Sequence, residues 1–313
     1  MKDVEILSVG PFYPPSFAPM ERDFSVHKLW QAKDRAALIA EVGGRVRAIQ
    51  TTGLHGADAK LIAALPKLEI IACFGVGVDA VDLDAARQRG VVVTNTPDVL
   101  NECVADLAMG LTLATVRRIS LGDRHVRAGN WLKGALPLAQ KVGGRTMGIL
   151  GYGRIGKAIA LRAEAFGMHI VYHGRKPQAG VAHKYYASLT EMARDCDVLM
   201  VICPGGAATQ RIVNAEVMQA LGPEGTLINV ARGSVVDEAA LVKALAEGSL
   251  GAAGLDVFES EPGVPEALFG MDQVVLQPHV GSGTLETRKA MGDLTVENLR
   301  AHFAGKPVLT PVS

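Results

Sequence analysis

Residues 146–156 read TMGILGYGRIG, and the chain runs on through KAIALRAEAFG (Lys157–Gly167) into MHIVYH (Met168–His173). With 35 glycines in the chain, a lone GxGxxG would be a weak signal. Its surroundings make it a strong one. An apolar strand precedes it, a helix ending in glycine follows, and a second apolar strand completes a βαβ unit. Gly151 permits the tight turn, Gly153 brings the backbone close to a pyrophosphate, and Gly156 lets the helix pack on the strand. The helix N-terminus then faces the phosphates. Tyr152, Arg154 and Ile155 fill the turn and are expected beside the same nucleotide.

About 20 residues beyond such a turn, an Asp or Glu usually grips the ribose hydroxyls of NAD. Here the second strand ends in VYHGRKPQ (Val171–Gln178), with no acid before Tyr186. Gly174, Arg175 and Lys176 stand where the adenosine ribose would pass. Arg175 offers a permanently charged planar fork that matches phosphate oxygens, and Lys176 adds a second cation. The expected cofactor is therefore NADP(H), with NAD(H) still possible.

Outward from this unit the chain keeps alternating. TMGIL, MHIVYH, DVLMVIC, TLINV, AAGLDVF and QVVLQPH read as strands of one block. VEILSV, VRAIQTT, LEIIACF and VVVTN form an earlier one, with DAKLIAAL and DLDAARQRG as helices. Strands alternating with helices predict parallel sheets covered on both faces. The fold class is thus α/β with two doubly wound parallel-sheet domains. One long apolar helix, roughly Glu102–Ile119, lacks a polar face and is expected between domains or against another subunit. A looser arm with Trp131 follows it. Thr284–Gly305 has helical spacing, and KPVLTPVS reads as a short tail.

The 313 residues exceed what one core usually fills. Basic and acidic residues balance at 32 each, and no basic cluster points to nucleic acid. Asp3 and Glu5 interrupt what would be a signal's apolar region. No apolar run reaches membrane-spanning length. The four cysteines are scattered without a CxxC pair, as in a cytoplasmic protein. No metal-ligand spacing and no GxSxG nucleophile turn occur.

Polar residues interrupt three strand ends. INVARGSVVD places Arg232 after one strand, GLDVFESEP places Asp256, Glu259 and Glu261 near another, and VVLQPHVGSGT places His279 after a third. The C-terminal ends of a doubly wound sheet share one edge, where ligands bind. A cation, an acid and a histidine can therefore converge there. Taken singly, each has an ordinary structural explanation.

Taken together they resemble the D-2-hydroxyacid dehydrogenase family over nearly the whole chain, most closely its glyoxylate/hydroxypyruvate reductases. The resemblance rests on GILGYGRIG, NVARGSVVD, LDVFESEP, PHVGSGTLETR and CFGVGVDAVDLDAARQRGVVVTNTP, in matching order. It implies a Rossmann nucleotide-binding domain over residues 99–283. It also implies a flavodoxin-like substrate domain from 1–98 and 284–313, to which the final helix returns. It implies Arg232, Glu261 and His279 as the catalytic set, with Glu261 chosen over Glu259 because the family's acid directly precedes proline. Asp256 would help position the nicotinamide. Cys203, Pro204, Thr209, Val230, Ala231 and Gly281 would complete the cofactor contacts. Leu54 and the backbone N–H groups of Val76 and Gly77 would meet substrate together with Arg232 and His279. Family members are commonly homodimers, which would occupy the apolar helix and the Trp131 arm.

The residue types fit reduction of a small 2-keto acid. Arg232 would bind a carboxylate oxygen and the carbonyl oxygen, His279 would donate a proton to the latter, and Glu261 would orient the ring. A 2-ketogluconate reductase is the alternative reading, and a nucleotide-sensing binding protein a more distant one.

Overall fold

A computed structural model describes residues 2–312. The chain forms two compact units. One is built from the chain up to Leu100 together with the part from Thr284 onward, the other from Asn101–Gly283.

The first unit carries β1 (Glu5–Ser8), β2 (Ser25–Lys28), β3 (Val46–Thr52), β4 (Ile70–Phe74) and β5 (Val92–Thr94). They pair in parallel in the order β2-β1-β3-β4-β5, the arrangement of flavodoxin-like sheets. All five residues of β4 are buried, because this strand has neighbours on both edges and helices on its faces. The crossovers are α1 (Pro14–Asp23), α2 (Arg35–Val42), α3 (Ala59–Ala63) and α4 (Leu83–Gln88). The last three each start on an aspartate, Asp34, Asp58 or Asp82, whose carboxylate accepts a first-turn N–H.

The second unit begins with α5 (Asn101–Val116) and α6 (Ile119–Arg127). A seven-stranded parallel sheet follows: β6 (Thr146–Leu150), β7 (His169–His173), β8 (Lys184–Tyr186), β9 (Val198–Val201), β10 (Thr226–Asn229), β11 (Ala252–Leu255) and β12 (Val274–Leu276). Its order is β12-β11-β10-β9-β6-β7-β8. The helices α7 (Arg154–Ala165), α8 (Leu189–Asp195), α9 (Ala215–Leu221) and α10 (Glu238–Glu247) connect these strands. The winding reverses at β6, between β7 on one side and β9 on the other. A crevice opens at such a switch point, outside the carboxyl ends of the strands. The chain closes with α11 (Leu285–Phe303), which packs in the first unit on β4 and α1.

Three expectations need correction. The apolar helix ends at Val116, because Arg118 takes a left-handed backbone (φ 53°) and the chain restarts as α6. Within its own unit it packs on α7 and on the β10–β12 face. Packing is so close there that a Cβ on Gly254 would lie 2.7 Å from Thr115 Oγ1 and 2.8 Å from Leu111 Cγ. Thr112 and Thr115 hide their hydroxyls by donating to carbonyls four residues earlier, so polar residues pass as apolar in this helix. The second correction concerns the looser arm from His125, whose first three residues, His125–Arg127, are the last of α6. The third concerns β2 (SVHK) and β8 (KYY), which did not read as strands. Both lie at sheet edges, where solvent on one side removes the need for an apolar run.

Candidate active site

The nucleotide turn leaves β6 at its carboxyl end. Gly151 has φ 102°, and a Cβ there would lie 2.6 Å from Cys203 Cα and backbone N. A Cβ on Gly156 would lie 2.4 Å from the Gly151 carbonyl. These two glycines hold the turn against its neighbours. Gly153 differs: nothing lies within 4 Å of where its Cβ would stand, and it is the residue at which α7 starts. The turn therefore presents open space above bare backbone at a helix N-terminus, which fits a pyrophosphate. Cys203 and Pro204 follow β9 across the switch point, and Thr209 hydroxyl donates to the Pro204 carbonyl at 2.7 Å. Val230 and Ala231, both buried, follow β10.

The basic turn leaves β7 beside this crevice. Arg175 and Lys176 are exposed at its tip, and no carboxylate occurs in that segment. The residues present therefore suit a dinucleotide bearing an extra phosphate on its adenosine ribose.

On the other side of the switch point, the β10 end carries Arg232. Asn229, buried in the last position of the strand, accepts the Ala231 N–H at 3.1 Å and donates to the Arg232 carbonyl at 3.0 Å. That clamp sets the bend from which Arg232 departs. The Arg232 Nη1 donates to the Ala231 carbonyl at 2.7 Å. Gly233 cannot be larger, since its Cβ would fall 1.9 Å from the Phe258 carbonyl carbon.

After β11, buried Asp256 accepts the N–H groups of Val280 and Gly281, both at 2.8 Å, and its own carbonyl accepts the His279 N–H at 2.8 Å. Four contacts in this small region hold the His279 loop in place, and His279 itself has φ 54°. The fourth is the side chain: His279 Nδ1 lies 2.6 Å from Glu261 Oε2, while Glu261 Oε1 accepts the Phe258 N–H at 3.1 Å. Glu261 is only 12% exposed and His279 39%, so the carboxylate is sheltered while more than a third of the imidazole side chain is exposed. Burial pushes the Glu261 carboxyl up. The His279 hydrogen bond and charge, the Phe258 N–H and the Arg232 charge outweigh it and hold the group below its ordinary value. Asp256 goes the other way, because burial prevails over its hydrogen bonds and the His279 charge.

This geometry separates the two acids that spacing alone left open. Glu259 pairs outward with Arg211 at 2.7 Å, whereas Glu261 meets the histidine. Six other histidines have partners of their own, His27 with Glu5, His55 with Thr52, His125 with Gly134, His173 with Tyr186, His183 with Glu164 and His302 with Glu69, and His169 is exposed at the start of β7. Leu54, Val76 and Gly77 belong to the first unit. Leu54 is 59% exposed, and the Val76 carbonyl is taken by Asn95 at 2.8 Å. Sequence reasoning missed the Asn229 clamp, for which the only signal was an amide at the end of an apolar strand. It also missed the groups that pin the basic turn. Among the described residues no cluster of His, Cys, Asp or Glu is arranged to hold a metal ion, and no helix is long and apolar enough to cross a membrane.

Comparison with known proteins places this geometry. Residues 109–281 match the family model described as the NAD binding domain of D-isomer specific 2-hydroxyacid dehydrogenase. The chain is 49% identical over 312 residues to glyoxylate/hydroxypyruvate reductase A of Arabidopsis thaliana, covering 100% of both. It is 50% identical, again over 100% of both chains, to a hydroxyphenylpyruvate reductase of Plectranthus scutellarioides. Among solved structures, it is similar to an NADPH-dependent glyoxylate/hydroxypyruvate reductase of Sinorhizobium meliloti in complex with NADP and malonate. That likeness has a TM-score of 0.92 and 46% identity, and covers 99% of this chain and 97% of the other.

Proposed function

The chain belongs to the D-isomer specific 2-hydroxyacid dehydrogenase family, and from that membership we propose that it reduces small 2-keto acids, hydroxypyruvate and glyoxylate, to D-2-hydroxy acids with NADPH. The observation that carries this reading is the Glu261–His279 pair at 2.6 Å, beside Arg232 on the carboxyl edge of a Rossmann sheet.

Residues 101–283 are assigned to the dinucleotide and the rest of the chain to substrate. NADPH supplies the hydride when bound. The N–H groups of the glycine turn and the α7 N-terminus receive its pyrophosphate, and Arg175 and Lys176 its ribose phosphate. Arg232 holds a substrate carboxylate oxygen and polarises the carbonyl. The Glu261 carboxylate accepts a hydrogen bond from the Nδ1–H of His279 and orients the ring, so that Nε2 donates a proton to the carbonyl oxygen as negative charge grows there. Asp256 holds the loop that aims the ring. In the first unit, the N–H groups of Val76 and Gly77 are assigned to the substrate carboxylate and Leu54 to its side chain.

A cytoplasmic homodimer is proposed. The apolar surface from α6 onward supports the dimer: Trp131 is 71% exposed, and Leu132 and Leu138 are each 96% exposed. Four scattered cysteines without a CxxC pair support the compartment. Initial rates with hydroxypyruvate, glyoxylate, hydroxyphenylpyruvate and 2-ketogluconate, each with NADPH and NADH, test the function. The highest kcat/KM is expected for hydroxypyruvate or glyoxylate with NADPH. A better rate with 2-ketogluconate or the aromatic keto acid would replace the substrate, and a better rate with NADH would replace the cofactor.

A further inference from the structure

The basic turn Gly174–Lys176 is pinned at both ends. At its start, Tyr185 Oη donates to the Gly174 carbonyl at 3.1 Å. At its end, Tyr172 Oη accepts the Gln178 N–H at 2.9 Å, and Gln178 Nε2 donates to the Tyr152 carbonyl at 2.6 Å. The pinning groups are themselves fixed. Tyr172 is among the largest fully buried side chains, and its ring lies 4.6 Å from that of Tyr152 and 5.4 Å from that of Tyr185. Between the pins, Arg175, Lys176 and Pro177 are exposed, and proline restricts the backbone further. The result is two solvated cations on a short loop that has little left to order.

Building on the NADPH reading above, we infer that Gln178, Tyr172 and Tyr185 are specificity-determining positioning residues, which hold Arg175 and Lys176 ready for the 2′-phosphate. Binding a phosphate through a mobile loop loses affinity to the ordering of that loop, and a loop ordered in advance avoids the loss. The carbonyl Gln178 engages belongs to Tyr152, inside a glycine turn already held by the close packing of Gly151 and Gly156, so that turn serves as the fixed anchor for the basic loop. NADH carries no 2′-phosphate. Loosening the clamp therefore weakens NADPH and spares NADH, which a role in stability alone would not do.

The test is the Kd of NADPH and of NADH, by fluorescence titration of the full chain, for wild type, Gln178→Ala, Tyr185→Phe, Tyr172→Phe and Arg175→Ala. Gln178→Ala and Tyr185→Phe are expected to raise the NADPH Kd about fivefold to tenfold, as losing such hydrogen bonds implies, with NADH within about twofold. Tyr172→Phe keeps the ring stack and removes one acceptor, so it reports on the clamp even where Gln178→Ala folds poorly. An unchanged NADPH Kd in these variants, or an equal loss for both cofactors, overturns the clamp. Arg175→Ala separates the two levels. If it abolishes the NADPH preference while the clamp variants behave as wild type, only the clamp is wrong. If the preference survives Arg175→Ala, the basic turn is not the phosphate site and the inference falls with it.

Discussion

His279 and Glu261 share the hydrogen bond on which the proposed chemistry rests. Replacing His279 with Ala removes the proposed proton donor and is expected to lower kcat by about 10²–10⁴-fold, with NADPH affinity retained. Glu261→Gln should also lower kcat, by about 10²-fold, because the neutral amide no longer makes the charged hydrogen bond that orients the ring. Steady-state rates and cofactor titration check both. The same carboxylate has a stability signature. Its folded pKa lies below its ordinary 4.5, so its contribution is complete above that value and is lost as pH falls through the lower folded pKa. Urea midpoints of wild type and Glu261→Gln should therefore differ most near neutral pH and converge in acid. Asp256 has the opposite sign, since its raised pKa makes ionisation a cost to the fold. Glu261 therefore has to be isolated by substitution rather than read from wild type alone.

Among the elements, the β6–α7 turn shows how one motif divides its labour. Gly151 and Gly156 are closed in by protein atoms, whereas Gly153 faces open space. Gly156→Ala should destabilise the second unit by about 1–3 kcal/mol through overpacking against a backbone carbonyl. Gly153→Ala should leave thermal stability within about 0.5 kcal/mol and weaken binding of either dinucleotide. Melting curves with and without NADPH distinguish the two. The element-level misreadings have physical causes of the same kind. Edge strands β2 and β8 are short and polar because solvent satisfies one side. The break at Arg118 lacks glycine or proline, so nothing in local composition marked it. The threonines of α5 hide their polarity in bonds to their own helix, which made a helix that covers β10–β12 read as apolar all round.

At the scale of the molecule, the chain's last thirty residues belong with its first hundred. Helix α11 packs on β4, and the segment beyond it is sewn to β5: Val312 N–H donates to the Val93 carbonyl, and Thr310 exchanges bonds with Asn95. Asn298, fully buried, ties this together by accepting the N–H groups of Leu309 and Thr310 and donating to Leu294 and Thr310. Asn298→Ala should cost about 2–3 kcal/mol, because it orphans several buried groups at once. Denaturant unfolding of the variant checks it, and a change under about 0.5 kcal/mol would show the network to be dispensable. What had read as a tail is a structural part of the first sheet.

Local chemistry by itself determined the α/β class, the nucleotide turn, the basic residues after β7, and the presence of an arginine, acids and a histidine at strand ends. Those signals are legible because glycine, alternating apolar runs and charge act over a few residues, and the family motifs are long enough to name roles. Spacing alone left two acids, and the resemblance chose the one before proline; tertiary structure gives the physical reason for that choice. Glu259 and Glu261 are two residues apart, and only the fold turns one outward to Arg211 and the other inward. Tertiary structure alone decided that Asn229 sets the bend before Arg232, and that Tyr172, Tyr185 and Gln178 pin the basic turn. These are contacts between groups that strand pairing and side-chain packing bring together, and no periodicity along the chain encodes them.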